Sequence, residues 1–163
     1  MIIREADAAR DAARIAEIYK PYVEHTDISF ETVAPDEEEI RRRILSLQPD
    51  YPYFVAEDES GHLLGYCYAH PWKARVSYNP TLETSIYLRP EAKGLGIGTA
   101  LMHKLTEAAR GKGFVSLIAC ITADNEESCA FHRKLGFEQV SLFKKVGRKF
   151  GRLLDVADFQ YML

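Results

Sequence analysis

The chain has 163 residues, 47% of them hydrophobic and 28% charged, with a formal net charge of −3. That length suits one domain, residues 1–163, with enough chain for a real core. The charge supplies no field for nucleic acid, no apolar run is of membrane-spanning length, and the N-terminus has no signal-peptide pattern. Ile2-Ile3-Arg4 reads as a first strand. Asp11 to Val23 carries Ala12, Ile15, Ala16, Tyr19 and Val23 on one helical face. Pro35-Asp36-Glu37-Glu38-Glu39 opens a second helix, with Ile40, Ile44 and Leu47 as its apolar stripe and Arg41-Arg42-Arg43 on its solvated face. Tyr53–Glu57 and Leu63–Ala69 are strands around the turn Glu59-Ser60-Gly61. Leu82–Leu88 is a further strand, Gly98–Arg110 a helix ended by Gly111 and Gly113, and Ser116–Thr122 a buried strand. Glu126–Leu135 reads as a helix, and Phe137–Lys145 with Leu154–Leu163 as a closing strand pair. This order predicts an α/β fold, a mixed sheet with helices on both faces.

Cys67, Cys120 and Cys129 lack a disulfide-like spacing and are expected to be reduced and buried, in a cytoplasm. Cys67 and His70 have one metal-like spacing, but no second pair completes a tetrahedral site, so no metal is expected. Met102 and Met162 read as core filler. Lys144, Lys145, Arg148, Lys149 and Arg152 decorate the final turn.

The most informative stretch runs from Leu88 to Leu101. A β-branched and aromatic run leads into Lys93-Gly94-Leu95-Gly96-Ile97-Gly98-Thr99, and a helix begins near Gly98. Glycines let a backbone approach a ligand closely, and the free amides of a helix start add positive charge, which together make a phosphate cradle. A P-loop would need G-x-x-x-x-G-K-[ST], which is absent. A Rossmann fingerprint would need glycine where Thr99 stands. By itself a G-x-G-x-G run is equally a tight turn ahead of a helix.

A second segment, Asn125-Glu126-Glu127-Ser128-Cys129-Ala130-Phe131-His132-Arg133-Lys134-Leu135-Gly136-Phe137, accompanies it. The two together resemble the signatures of the GNAT acetyltransferases, with Lys93 in the usual Arg or Gln place. That resemblance implies the acyltransferase fold: a mixed, mostly antiparallel sheet whose two central parallel strands splay apart for the pantetheine arm of acetyl-CoA. It implies cofactor contacts from Ile86, Tyr87, Leu88, the loop Lys93, Gly94, Leu95, Gly96, Ile97, Gly98 and Thr99, and from Asn125 and Ser128. Asn125 is equally suited to cap the helix that follows it.

Glu83 lies in Leu82-Glu83-Thr84-Ser85-Ile86-Tyr87, an otherwise apolar and hydroxylated strand. A carboxylate there is costly unless paired or functional, and burial raises its basicity. The segment resembles the Glu-x-Ser/Thr-Val-Tyr of phosphinothricin acetyltransferases, where the glutamate takes the amine's proton. An edge-exposed surface glutamate is the plain alternative. His132 stands where that group carries a histidine, and an imidazolium is a competent donor to a departing thiolate; a packing histidine is an equal reading. His70-Pro71-Trp72-Lys73-Ala74-Arg75-Val76-Ser77-Tyr78 resembles the same group's acceptor segment, which implies acceptor contacts from Trp72, Lys73, Arg75, Tyr78, Phe30, Thr84 and Ser85. Arg75 offers a planar fork for a carboxylate or phosphinate. Met102 departs from the tyrosine of the herbicide-detoxifying members.

The resemblance thus implies direct acetyl transfer from acetyl-CoA to the α-amine of a small amino acid or analogue, such as phosphinothricin, methionine sulfoximine or methionine sulfone, by a homodimer. Acetylation of a protein N-terminus or a polyamine, and a non-catalytic acetyl-CoA sensor, are the alternatives.

Overall fold

Asp7 opens the first helix: its carboxylate accepts from the Ala9 and Arg10 amides at 2.9 and 2.8 Å. The computed structural model describes residues 1–163. From that cap, α1 runs Ala8–His25, longer at both ends than its apolar periodicity predicts. Asp36 caps α2, Glu37–Leu47, through the Glu39 amide, and the acidic first turn suits the positive end of the helix dipole. The other helices are α3, Ile97–Gly111, and α4, Glu126–Lys134.

The strands are β1 (Ile2–Glu5), β2 (Tyr53–Glu57), β3 (Leu63–Pro71), β4 (Thr81–Leu88), β5 (Ser116–Thr122), β6 (Glu138–Gln139), β7 (Phe143–Lys149) and β8 (Arg152–Met162). They form one sheet ordered β1-β2-β3-β4-β5-β8-β6, with β7 also on β8. Every pairing is antiparallel except β4 with β5. The parallel ladder is short. It pairs Thr81, Leu82 and Glu83 with Ser116, Leu117 and Ile118, and then the strands part.

Strand alternation sends Tyr53, Val55 and Tyr66 toward α1 and α2, and Phe54, Ala56, Cys67 and Ala69 toward α3 and α4. Helices therefore cover both faces, as expected. Three expectations fail. The segment after Phe137 forms two pieces, β6 and β7, because β8 is long enough to pair with both in turn. Met162 is 61% exposed, lying at the end of β8 beyond the helix layer. Lys149 is buried, so it does not decorate a solvated turn.

A charged knot ties β1, α1 and β2 together. Arg4 grips Asp11 with two hydrogen bonds of 2.7 and 2.8 Å and Glu57 with a 2.7 Å bond, while Arg10 and Arg14 also reach Glu57. Both carboxylates are buried. Burial pushes the Asp11 carboxyl up, but the Arg4 hydrogen bonds and the Asp7 amide outweigh it and hold the group below its usual range. Hydrogen bonds from Arg4 do the same for Glu57. A folded-state pKa below the unfolded one contributes stability above the ordinary carboxylate pKa of about 4, lost as pH falls through the folded value. Arg4→Ala is expected to cost about 3 kcal/mol, since it strands buried carboxylates. It should also flatten the loss of stability on acidification below about pH 4. Urea unfolding across that range measures both, and an unaltered acid dependence in Arg4→Ala would show the knot to be idle.

Candidate active site

Two cavities open where β4 and β5 separate. The smaller, of about 60 Å³, lies between Thr84–Tyr87 on β4 and Ala119–Thr122 on β5, closed by Ile28, Asn125, Ser128 and His132. The Thr84 hydroxyl reaches across the fork to the Ile118 carbonyl at 3.5 Å. The larger cavity, of about 290 Å³, continues outward past Ile86 and Leu88 to Lys93, Gly94, Gly96, Gly98 and Thr99. Ile28, Ile86, Asn125 and Ser128 line both.

The glycine loop has the geometry its sequence suggested. Gly94 and Gly96 have φ of +74° and +79°, where an L side chain is strained. Gly96 is the first cap of α3, and no side chain caps that end, so the first amides of the helix are left for a ligand. A Cβ on Gly98 would lie 3.3 Å from the Phe131 ring, so α3 and α4 approach closely because that position is glycine. Lys93 pairs with Glu127 at 2.9 Å across the cavity wall. Leu95 points outward and Ile97 into the core, so from these two positions only the backbone remains for a ligand. Tyr87 lines the smaller cavity.

Asn125 caps α4, accepting from the Ser128 amide at 3.2 Å, and also lines both cavities. The capping and lining readings therefore coexist. His132 is buried among Phe131, Phe137 and Phe159. Its Nδ1 lies 2.8 Å from the Ser128 carbonyl oxygen, which can only accept, so Nδ1 holds the ring proton. Burial lowers the imidazole pKa, against a smaller upward pull from the Ser128 contact. Burial thus disfavours the charged ring, and the neutral form held by Ser128 presents Nε2 as an acceptor.

Glu83 sits at the last rung of the parallel ladder, opposite His70 on β3. Burial raises its pKa, while His70 and a hydrogen bond from the Cys120 thiol pull it down and Asp158 pushes it up. The net shift is upward, toward a stronger base. Cys120 is exposed, not buried as expected: between buried Ile118 and Thr122 on the same face of β5, it opens onto the smaller cavity. Partial enclosure of its sulfur and the Glu83 and Asp158 carboxylates drive the thiol pKa up, which keeps it protonated.

Trp72, Lys73 and Tyr78 form a cluster on the loop between β3 and β4. Trp72 and Tyr78 meet edge to face at 5.4 Å, and Lys73 Nζ lies 4.3 Å over the Trp72 ring. Arg75 is exposed nearby in sequence. Phe30 is on the α1–α2 linker, where its ring occupies the place a Cβ on Gly147 of β7 would fill. Thr84 and Ser85 line the smaller cavity. Sequence reasoning missed Tyr22, Ile28, Glu127, Phe131 and Lys134 on the larger cavity wall. Tyr22 donates to the Leu88 carbonyl at 2.6 Å. No local pattern flags Tyr22 and Ile28, which come from the far side of the sheet; Phe131 lies within a motif whose other members drew the attention.

The linker that carries Ile28 and Phe30 is clasped from β5, β7 and β8. Lys149 Nζ donates to the Val23 and Ser29 carbonyls at 2.7 and 2.6 Å. The Thr122 hydroxyl donates to the Asp27 carbonyl at 2.8 Å, and Arg152 pairs with Asp27 and Asp124.

The acetyltransferase (GNAT) domain model matches residues 3–157. The chain belongs to this family. A phosphinothricin N-acetyltransferase from Streptomyces coelicolor is 38% identical over 153 residues, 92% of this chain and 90% of that protein. A GNAT superfamily phosphinothricin acetyltransferase from Sinorhizobium meliloti, solved in complex with acetyl-CoA, is 42% identical with a TM-score of 0.94, covering 99% of this chain and 88% of that one. A ribosomal-protein-alanine N-acetyltransferase from Brucella melitensis is 36% identical with a TM-score of 0.95 over 100% of both chains. The strand order, with one parallel pair at the centre, is thus the GNAT arrangement. No helix of this acetyltransferase is long and apolar enough to cross a membrane.

Because Lys149 ties the Val23 carbonyl near the end of α1 to the Ser29 carbonyl of the linker, Lys149→Met is expected to remove that tether and its donor. Amide hydrogen exchange in residues 26–31 should quicken while the core strands keep their protection. Unchanged exchange in that segment would show that the clasp does not depend on the ammonium.

Proposed function

We propose that this enzyme transfers the acetyl group of acetyl-CoA directly to the α-amine of a small amino acid or analogue of the phosphinothricin and methionine sulfoximine or sulfone type. The single observation that carries this reading is the position of Glu83. A carboxylate of raised basicity stands at the rung where the parallel strands part.

The amides of Gly94 to Thr99 suit the diphosphate, with the positive φ of Gly94 and Gly96 and the uncapped α3 start supporting the fit. The backbone of Ile86 to Leu88 and the Asn125–Ser128 turn suit the thioester arm, since they face each other across the parted strands. Acetyl-CoA supplies the activated acetyl group and a thiol leaving group. Glu83 takes the proton from the acceptor's ammonium, which leaves a neutral nucleophile. As the amine attacks and the C–S bond breaks, the second N–H proton passes to the departing thiolate, and His132, whose Nε2 is free to take and return a proton while Nδ1 is held by Ser128, is the group for that transfer. Ser85 and Thr84 offer hydroxyls to the acceptor, Arg75 a fork for its anionic group, and Trp72, Lys73, Tyr78 and Phe30 the rim.

The sulfoximine and phosphinothricin head groups share a tetrahedral, oxygen-bearing centre, so one pocket accommodates both. The name of the Brucella relative supports a second reading, acetylation of a protein N-terminal amine. A polyamine fits an arginine-bearing rim poorly, and a mere acetyl-CoA sensor has no use for Glu83. The exposed apolar side chains Leu142, Phe143, Val146 and Phe150 around β7 support a homodimer. Three free cysteines suit a reducing cytoplasm.

Incubation of the enzyme and acetyl-CoA with a panel of amino acids, their sulfoximine and phosphinate analogues, polyamines and N-terminal peptides, scored by thiol release, tests the acceptor class. Turnover confined to peptides or polyamines would overturn it. On the preferred acceptor, Glu83→Gln is expected to lower kcat by about 10²–10⁴-fold, with acetyl-CoA affinity retained. Full activity in that variant would remove Glu83 from the chemistry.

Gly96→Val tests the loop separately. A β-branched residue at that φ is expected to weaken acetyl-CoA binding about tenfold, in keeping with the ~1–2 kcal/mol that a left-handed conformation costs an L-residue. Calorimetry on folded variant reads this, and undiminished affinity would exclude the loop as the diphosphate site.

A further inference from the structure

The base must be emptied after each turnover, and Glu83 is half enclosed. The strand register sets His70 directly opposite it, with the imidazole Nε2 3.9 Å from Glu83 Oε1. The other ring nitrogen is committed: Nδ1 lies 2.9 Å from the Pro71 carbonyl oxygen. That oxygen can only accept, so the neutral ring carries its proton on Nδ1 and leaves the Nε2 lone pair on the Glu83 side. The His70 side chain is 34% exposed against 27% for Glu83. It also lines a separate cavity of about 300 Å³ between α2 and the sheet, walled by Tyr19, Tyr53, Tyr66 and Tyr68.

We propose that His70 is the exit station for the proton that Glu83 removes from the acceptor amine. This rests on the reading of Glu83 as the base. The acceptor's ammonium gives its proton to the Glu83 carboxylate. The carboxylic acid then passes it to His70 Nε2, either after a side-chain rotation that closes the 3.9 Å gap or through one water. The imidazolium, with protons on both nitrogens, releases the Nε2 proton to solvent and returns to its Nδ1–H form. No other neighbour of Glu83 does this as directly. From β5, Cys120 keeps its own proton, because burial and two carboxylates raise its pKa. From β8, Asp158 lies a further strand away and is a like charge. On the far side of His70 stand the Tyr68 ring, 6.1 Å away, and Arg43 of α2, which is already paired with Glu31 and Glu39. His70 acts through Glu83 and is a positioning residue for proton flow rather than a group that touches the reacting atoms.

The test uses the full-length enzyme with saturating acetyl-CoA and the best acceptor from the panel, in His70→Ala, His70→Gln and the parent. Both variants are expected to lose about tenfold in kcat, short of the roughly 10²–10⁴-fold of a direct base, with acetyl-CoA affinity unchanged by calorimetry. The solvent deuterium isotope effect on kcat is expected to be larger in both variants than in the parent, because emptying Glu83 becomes a slower proton transfer. Added imidazole should restore kcat in His70→Ala, where a space is left, and not in His70→Gln. A parental kcat and isotope effect in both folded variants would overturn the relay. So would a kcat loss in His70→Ala that imidazole does not restore and that leaves the isotope effect unchanged, since a packing role alone produces it. If Glu83→Gln is inactive while the His70 variants match the parent, the relay alone fails. If Glu83→Gln is fully active, the base reading falls and the relay falls with it.

Discussion

Everything in this molecule is arranged around two parallel strands that stop pairing. After three rungs, β4 and β5 each keep an outer partner, β3 and β8, and turn bare inner edges toward each other. Backbone amides and carbonyls left unpaired inside a protein cost free energy. The Thr84 hydroxyl bridges the vertex, and side chains from the α1–α2 linker and α4 wall the gap down to a narrow cavity. Since the strands run the same way, the helices that follow them, α3 and α4, both begin at the open end. Two helix starts therefore converge on one gap, with their partial positive charge. Such convergence needs a parallel pair in an otherwise antiparallel sheet.

The wedge also passes through the sheet, which joins two sides that the cores keep apart. Ile28 and Tyr22 come from the α1 side, yet they wall the same cavities as Gly98, Ser128 and Phe131 of α3 and α4. The glycine loop lines the larger cavity, and Glu83 stands at the vertex of the fork, one residue before Thr84 of the smaller one. The clasp of Thr122, Lys149 and Arg152, from β5, β7 and β8, fastens the α1–α2 linker against that opening.

Much of this was legible in the chain, and the reason differs by element. Strand and helix periods marked β2 and β5 to the residue, because a continuous apolar run ends sharply at polar turns. The glycine loop was legible because its requirement is local: a left-handed backbone and a helix start are both written in consecutive residues. Long-range encounters were not. Nothing near Lys149 in sequence says that its ammonium reaches two carbonyls more than a hundred residues earlier. His132 was found but its charge state was not, since that depends on a carbonyl one turn back and on three aromatic rings brought by other elements. His70 was read as a metal-like spacing with Cys67, whereas its partner is the residue across the strand. The apolar run of β5 implies an interior Cys120; its exposure comes from the cavity it lines where β4 and β5 part.

The aromatic loop after β3 has an optical consequence. Trp72 is the only tryptophan in the chain, beside nine tyrosines. Much of the tyrosine content is stacked in the α1–α2 face, with ring centroids 4.8 to 6.3 Å apart, while the indole sits apart under a lysine ammonium and against Tyr78. The tryptophan emission of this protein therefore comes from one place, the aromatic rim between β3 and β4. A lysine cation and a tyrosine edge set its environment, so any ligand that moves Lys73 changes the signal without a label being attached.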